Sequence, residues 1–361
     1  MTAPVLRLLA DDLTGALDTA AEFAALCGAV PVRWDAAAPI TGSLALSTAT
    51  REAPRDVAMA RVRAAAPLLT GADITVRKLD SLLRGHPAAE LAACLEGGAW
   101  RSVVLAPAFP AQGRVTRGGQ PFARQADGGW QAVAAPLHEL LAAEGLASRA
   151  GDPARPLPPG IVVFDAETDA DLARIVACGR AAPGPVLWCG SGGLGRALAA
   201  DAPARADTTL RTPVLGLFGS DQPATTRQLT ACGPFALVLR DGAEAPRVAA
   251  CLHARGAALV GFAIPPGTAR DAAARRIATG IAQVCAALPR PGTLLVAGGE
   301  TLGTTAIEAN GLVGPGVPRS LLRGGSWDGL RLVSKSGAFG DDTLWRDLLA
   351  ANGFIQDTLP A

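Results

Sequence analysis

Lys78 and Lys335 are the only lysines among 33 basic residues, so the other 31 (33 minus 2) are arginines. In a composition that drifts toward Ala, Gly, Pro and Arg, lysine survives where a compact ammonium is needed and a planar guanidinium does not fit. Lys78 opens a run that continues with Asp80, Ser81, Arg84 and Gly85. That set suits a small polyhydroxy anion: Arg84 can pair bidentately with a carboxylate, Lys78 adds a point charge, and Asp80 accepts from hydroxyls. The plainer reading is a solvated i,i+4 pair between Asp80 and Arg84. Upstream, Asp11 and Asp12 are followed by Thr14, Gly15 and Asp18. Two adjacent acids at a strand end can hold Mg²⁺ through water, orient hydroxyls or supply a general base, whereas capping the next helix would need only one of them. Arg114 is presented with Gln112 and Thr116 by a loop that Pro107 and Pro110 stiffen. It reads either as a second anion contact or as one surface arginine among many.

The second half repeats a different device. Gly219-Ser220 precedes a helix start with Thr225, Thr226 and Gln228; Gly298-Gly299-Glu300-Thr301 precedes another; Lys335 is followed by Gly337 and Gly340. Glycine turns and hydroxyls at helix N-termini hold phosphates or a ribose, and Glu300 could face Mg²⁺ or a ribose hydroxyl. None is the P-loop pattern. Three such turns, one carrying the retained lysine, are best explained together as a nucleotide-phosphate cradle. Gly190-x-Gly192-x-x-Gly195 matches the dinucleotide fingerprint literally, but no acid follows about 20 residues on to take a ribose. It reads as a glycine-rich helix start whose N–H groups touch an anion, not as an NAD site.

Positioning these groups requires an α/β framework. Apolar runs at Leu6–Ala10, Gly42–Ser47, Ile74–Lys78, Ser102–Ala106, Ile161–Phe164, Val186–Cys189, Val214–Phe218, Ala236–Leu239, Ala258–Phe262, Thr293–Ala297 and Leu330–Ser334 read as strands. Helical patterns alternate with them, including Leu17–Leu26, Ala58–Leu69, Asp169–Ala181, Leu194–Asp201, Ala224–Cys232 and Ala269–Ala287. Mostly parallel sheets follow, with ligands at the carboxyl ends of strands. The polar, proline-bearing stretch Asp201–Pro213 marks a boundary between domains at 1–205 and 206–361, and Arg149–Gly160 reads as a loop. A net charge of +1 argues against nucleic-acid and membrane-surface partners. Seven scattered cysteines read as reduced core residues. With no leader pattern and no membrane-length apolar run, a cytoplasmic location is expected; a homo-oligomer stays open.

The motifs in order resemble the four-carbon acid sugar kinase family: Ala10–Ala16 with Asp18, Lys78–Gly85, Pro107–Arg114, Gly190–Leu194, Gly219-Ser220, Gly298–Thr301 and Lys335–Gly340. Leu82 or Leu83 and His86 stand where relatives often have Thr and Asn. The resemblance implies a sugar-acid-binding N-terminal domain, a nucleotide-binding C-terminal domain and an active site in the cleft between them. It implies ATP-dependent phosphorylation of the terminal hydroxyl of a tetronate or 3-oxo-tetronate, with Mg²⁺ bridging the phosphates and its protein ligands unknown. Under that reading Arg84 and Arg114 clamp the substrate carboxylate, Lys78 either assists them or meets the transferring phosphoryl group, and Asp11, Thr14 and Ser81 belong to the same site. Asp12 or Asp80 orients the hydroxyl and accepts its proton. Ser220, Gly298, Gly299, Glu300, Thr301, Lys335, Gly337 and Gly340 hold ATP. The alternatives are an NAD-dependent hydroxy-acid dehydrogenase and a non-catalytic sugar-acid sensor.

Overall fold

A computed structural model describes residues 2–34, 41–98, 100–125, 127–203, 205–219, 223–297, 306–324, 327–337 and 339–355. The chain divides into two compact units, Met1–Arg205 with Ala309–Gly311, and Ala206–Glu308 with Leu312–Ala361. The first contains β1 (Leu6–Ala10), α1 (Leu13–Glu22), α2 (Ala24–Cys27), β2 (Val30–Arg33), β3 (Leu44–Ser47), α3 (Arg55–Ala65), β4 (Ile74–Lys78), α4 (Pro87–Leu95) and β5 (Ser102–Ala106). It continues through β6 (Arg114–Arg117), β7 (Gln120–Arg124), β8 (Trp130–Ala132), α5 (Leu137–Ala143), β9 (Ser148–Ala150), β10 (Gly160–Val163), α6 (Asp169–Arg180), β11 (Val186–Gly190) and α7 (Gly192–Leu198). Its sheet runs β2-β3-β1-β4-β11-β5-β10-β9 with every pairing parallel.

The second unit contains β12 (Val214–Phe218), α8 (Pro223–Ala231), β13 (Ala236–Leu239), α9 (Ala245–Arg255), β14 (Ala257–Phe262), α10 (Arg270–Ala287), β15 (Thr293–Ala297), β16 (Ala306–Gly314, apart from Ala309–Gly311), β17 (Val317–Arg323), β18 (Arg331–Lys335) and α11 (Leu344–Ala351). Here β13-β14-β12-β15-β18 are parallel, while β17 runs antiparallel to β18.

The central strands are continuous apolar runs because helices cover both faces of a parallel sheet. β5, β12 and β15 are buried at all five positions. Leu9, Leu46, Leu91, Leu105 and Leu187 anchor the first core; Val214, Leu259, Leu295, Val333 and Trp345 anchor the second. Trp345 meets Phe218 edge-on with ring centroids 5.5 Å apart. No helix among the described residues is long and apolar enough to cross a membrane.

Several expectations shift. α1 starts at Leu13, a turn before the expected Leu17, because Asp12 caps it by accepting from the Gly15 N–H. The loop expected over Arg149–Gly160 begins as strand β9, paired with β10. A three-stranded antiparallel sheet, β6-β7-β8, was not anticipated, although Gly118-Gly119 between Arg117 and Gln120 is a two-residue hairpin turn with φ of 58° and 74°. All seven cysteines are free, but only Cys94, Cys189 and Cys232 are buried. The other four lie on helices and are half-buried.

Candidate active site

Three parallel strands of the first unit deliver the charged cluster. β1 ends at Asp11-Asp12, β4 at Lys78, and the turn after β3 carries Thr48, Thr50 and Arg51. Arg51 is the hub. Its Nε and Nη2 donate to the two Asp11 oxygens at 2.8 and 2.9 Å, Nη2 also donates to Asp12 Oδ1 at 2.8 Å, and Nη1 to Asp12 Oδ2. Asp80 Oδ1 lies 3.6 Å away. Burial favours the neutral guanidine, yet Asp11, Asp12 and Asp80 together hold Arg51 firmly protonated. Asp12 also accepts from Thr14 Oγ1 at 2.6 Å and from the Gly15 N–H at 2.7 Å. It therefore caps α1 and belongs to the cluster, so neither sequence reading excludes the other. A Cβ on Gly15 would lie 2.6 Å from Asp12 Oδ1 and 2.9 Å from Lys78 Nζ, so only glycine lets the helix start approach both.

Asp80 pairs with Arg84 through Nε at 2.8 Å and Nη2 at 2.9 Å. Burial pushes its carboxyl up, but the Arg84 hydrogen bonds and the charges of Arg51, Arg84 and Lys78 outweigh that and hold it well below the usual carboxylate range. The pair is thus the expected i,i+4 pair, though with a buried rather than a solvated acid. Lys78 is buried, its Nζ donating to the Leu79 carbonyl at 2.9 Å. Asp18, on the next turn of α1, is raised to about 6 by burial, against the opposing charge of Lys78. Ser81 is buried among these groups. Arg114 donates to the Gln112 carbonyl; burial and the Arg84 charge lower it, and the field of Asp80 opposes them. The residues carried by β1, β4 and the turns after them are therefore brought to one end of one sheet, and Arg114, on β6 of the antiparallel sheet, lies within the fields of Asp80 and Arg84.

The backbone is held under strain at the same place. Among the described residues the non-glycines with positive φ are Ala49 at 50° and Leu83 at 55°, one in each loop that carries the cluster. Such conformations cost about 1–3 kcal/mol and gather where surrounding contacts over-determine them. Gly85, at φ 79°, links the two loops: a Cβ there would meet the Arg51 carbonyl oxygen at 3.2 Å. His86 Nε2 lies 2.9 Å from the Ala53 carbonyl oxygen.

In the second unit, Lys335 ends β18 beside Ala297, its register partner on β15. It is buried, and its ammonium donates to the carbonyls of Ser336 at 2.9 Å and Gly337 at 3.0 Å. No described carboxylate pairs with it, and burial brings it down to about 7. The Gly337 carbonyl also accepts from Thr225 Oγ1 at 3.1 Å, and Gln228 Nε2 donates to the carbonyls of Phe339 and Asp341 at 3.1 and 2.8 Å. α8 thereby clamps the loop containing Gly337 and Gly340. Ser220, Gly298, Gly299, Glu300 and Thr301 lie outside the described residues. Among those described, no group of three His, Cys, Asp or Glu is placed to hold a metal ion, and Asp11 and Asp12 are already engaged by Arg51.

Residues 6–148 match a sugar-binding N-terminal domain family. A D-threonate kinase of Cupriavidus necator is 33% identical, the match covering 94% of this chain and 96% of that one. The chain belongs to the four-carbon acid sugar kinase family. A second D-threonate kinase, from Bordetella bronchiseptica, is 30% identical over the same shares. A solved Salmonella typhimurium LT2 structure shares the fold of the family member described here, with a TM-score of 0.74 at 21% identity over 97% of this chain and 99% of that one.

Arg51 escaped the sequence reading, although the run Ser47-Thr48-Ala49-Thr50-Arg51 has the same form as the motifs that were recognised: hydroxyls and a cation just past an apolar strand. The fingerprint-like glycines are accounted for by close packing. They are buried, and Cβ atoms at Gly190, Gly192 and Gly195 would lie 2.3 Å from the Ala106 carbonyl oxygen, 2.8 Å from Phe109 Cε1 and 2.7 Å from Thr19 Cγ2. The Gly193 N–H already donates to Ser191 Oγ. Close packing of α7 accounts for this glycine pattern, which leaves the dehydrogenase alternative without support from it.

Proposed function

We propose that this family member is an ATP-dependent kinase that phosphorylates the terminal hydroxyl of a four-carbon sugar acid, D-threonate being the first candidate because the relatives carry that name. The observation that carries the reading is the convergence of Arg51, Lys78, Arg84 and Arg114 with Asp12 and Asp80 at the carboxyl ends of parallel strands. Arg84 and Arg114 take the substrate carboxylate, while Asp11, Thr14 and Ser81 frame its hydroxyls. The acceptor oxygen attacks the γ-phosphorus, the bond to the β-bridging oxygen breaks, ADP leaves, and the hydroxyl proton passes to a carboxylate. Asp12 is the better acceptor: its side chain is 23% exposed against 8% for Asp80, and Asp80 is held ionised by two arginines. Such transfer depends mainly on positioning and charge neutralisation, so a modest base suffices.

In the second unit, Lys335 and the Gly337–Gly340 loop, with Ser220 and Gly298–Thr301, hold the nucleotide phosphates. The described residues offer no cage for Mg²⁺, which would enter on the nucleotide. Purified protein, Mg-ATP and a panel of three- to five-carbon sugar acids decide the matter through ADP release, with ³¹P NMR locating the new phosphate ester. Acid-dependent release with D-threonate or another tetronate supports the reading. ADP release indifferent to every acid, or reduction of NAD by a hydroxy acid, overturns it.

A further inference from the structure

We propose that the buried pair Arg77–Glu90 is a positioning device for the sugar-acid site, holding the ends of β1 and β4 and the Arg51 loop in register; the identity of the ligand rests on the function proposed above. Arg77 is 0% exposed and Glu90 1%, and Arg77 Nη2 donates to Glu90 Oε2. From inside the sheet, Arg77 Nη1 donates to the carbonyl of Leu9 at 3.0 Å and to that of Lys78 at 3.1 Å. One guanidinium thus ties together the two strands that end in Asp11-Asp12 and in Lys78. On the other side, burial pushes the Glu90 carboxyl up, and the charge of Arg77 and a hydrogen bond from the Thr50 hydroxyl oppose that shift. Thr50 Oγ1 is 2.8 Å from Thr48 Oγ1, which donates to the Ala10 carbonyl at 3.0 Å. The N–H groups of Thr50 and Arg51 both donate to the Asp11 carbonyl, at 2.9 and 3.2 Å. The polar ladder therefore leads from the buried pair to the residue that grips both aspartates, through the loop whose Ala49 has the left-handed backbone.

Stability alone does not explain the pair. Arg77 Nε and Glu90 Oε1 are buried without hydrogen-bond partners. Replacing a buried ion pair by apolar residues of similar volume is often neutral or stabilising, whereas removing one partner is costly. An incompletely satisfied pair in the core is better explained by the geometry it imposes on its neighbours.

The test is the double variant R77M/E90L in the full chain, with Thr50→Val and Thr50→Ser as a second, milder series. For the double variant we expect thermal stability at or above wild type, faster amide exchange at Thr50 and Arg51, and a kcat/KM for the sugar acid lower by on the order of 10- to 100-fold. KM for ATP should be unchanged. Thr50→Val should move exchange and kcat/KM the same way, and Thr50→Ser should restore both. A folded double variant, or Thr50→Val if the double variant does not fold, with wild-type exchange at both amides overturns the proposal. If the wild type phosphorylates no sugar acid, the function reading falls, while amide exchange still decides whether the pair positions the loop.

Discussion

Lys78 and Lys335 occupy equivalent places in two different settings. Each ends a parallel strand, is buried, and turns its ammonium back onto the carbonyl of the next residue. Lys78 sits in a field that includes Asp18 and Asp80, inside a network where Arg51 and Arg84 bind the surrounding carboxylates. Lys335 has only the carbonyls of Ser336 and Gly337 among its described partners. The first unit carries its own counter-charges and is organised before any substrate arrives. In the second, a cation is held by dipoles, and a polyanion would supply the missing charge. A small hydroxy acid must be oriented by several directional contacts, whereas a phosphate chain needs positive charge and close backbone approach.

The largest effect that would break this comparison should come from Arg51→Leu. It leaves Asp11, Asp12 and Asp80 without their shared cation in a mostly buried site, so a loss of about 3–5 kcal/mol on urea unfolding is expected, together with loss of sugar-acid-dependent ADP release. A variant as stable and active as wild type would show that the first unit's charge network is ornamental to both.

Lys335→Met tests the other side. It should raise KM for ATP at least tenfold while leaving KM for the sugar acid near wild type, and it should stabilise the protein at pH 6. The sign follows from linkage: folding lowers the lysine from 10.5 to about 7, so between those values the unfolded state binds more protons and wild-type stability rises with pH. The advantage of the variant is therefore fully present below pH 7 and shrinks above it, by at most about 1.4 kcal/mol per pH unit. Lys78→Met should do the reverse at neutral pH, destabilising by removing a counter-charge of Asp18 and Asp80. Identical pH profiles of melting temperature for the two variants would erase the distinction between the two settings.

Glu22 provides the smallest and finest test. At the end of α1 it is raised to about 8 by burial, with Arg196 opposing the shift and Asp18 and Asp169 adding to it, and its Oε1 has no hydrogen-bond partner. Its folded state binds the proton more tightly than the unfolded chain, so wild-type stability falls as pH rises from about 4.5 to about 8. Glu22→Gln should abolish that slope, matching wild type near pH 4 and melting higher at pH 8. A variant that loses stability uniformly across the range would show that the carboxylate is instead needed in its charged form.

Much of the framework was legible because parallel strands buried on both faces are uninterrupted apolar runs. β1, β4, β5, β12 and β15 coincide with the runs marked from sequence, and so does the edge strand β13, which is apolar although only Leu239 in it is buried. The elements that escaped notice are those whose burial is partial or whose pairing is antiparallel. β8 is exposed at all three positions, so no hydrophobic signal marks it. β16 stands where a helix was expected after Gly298–Thr301, and the hairpin it forms with β17 across Pro315-Gly316 carried little contrast among so many glycine-rich turns. Helices α4 and α9 begin with proline in the first turn, and α9 has little buried surface to give it a period.

The amino-acid sequence by itself determined which residue types stand at or just past the end of each strand: paired acids after β1, a retained lysine closing β4 with an acid, a hydroxyl and an arginine beyond it, and a second lysine closing β18 before glycines. Local composition is enough for that, because strand ends in such sheets are where polar groups can be exposed to a ligand. Only the tertiary structure decided which of those charges neutralise one another. That Arg51 rather than another of the 31 arginines grips both aspartates depends on parallel pairing of β3 with β1, 37 residues apart in register at Arg7 and Leu44. The strength of a charge depends on its burial and on its neighbours in space, neither of which a linear pattern specifies.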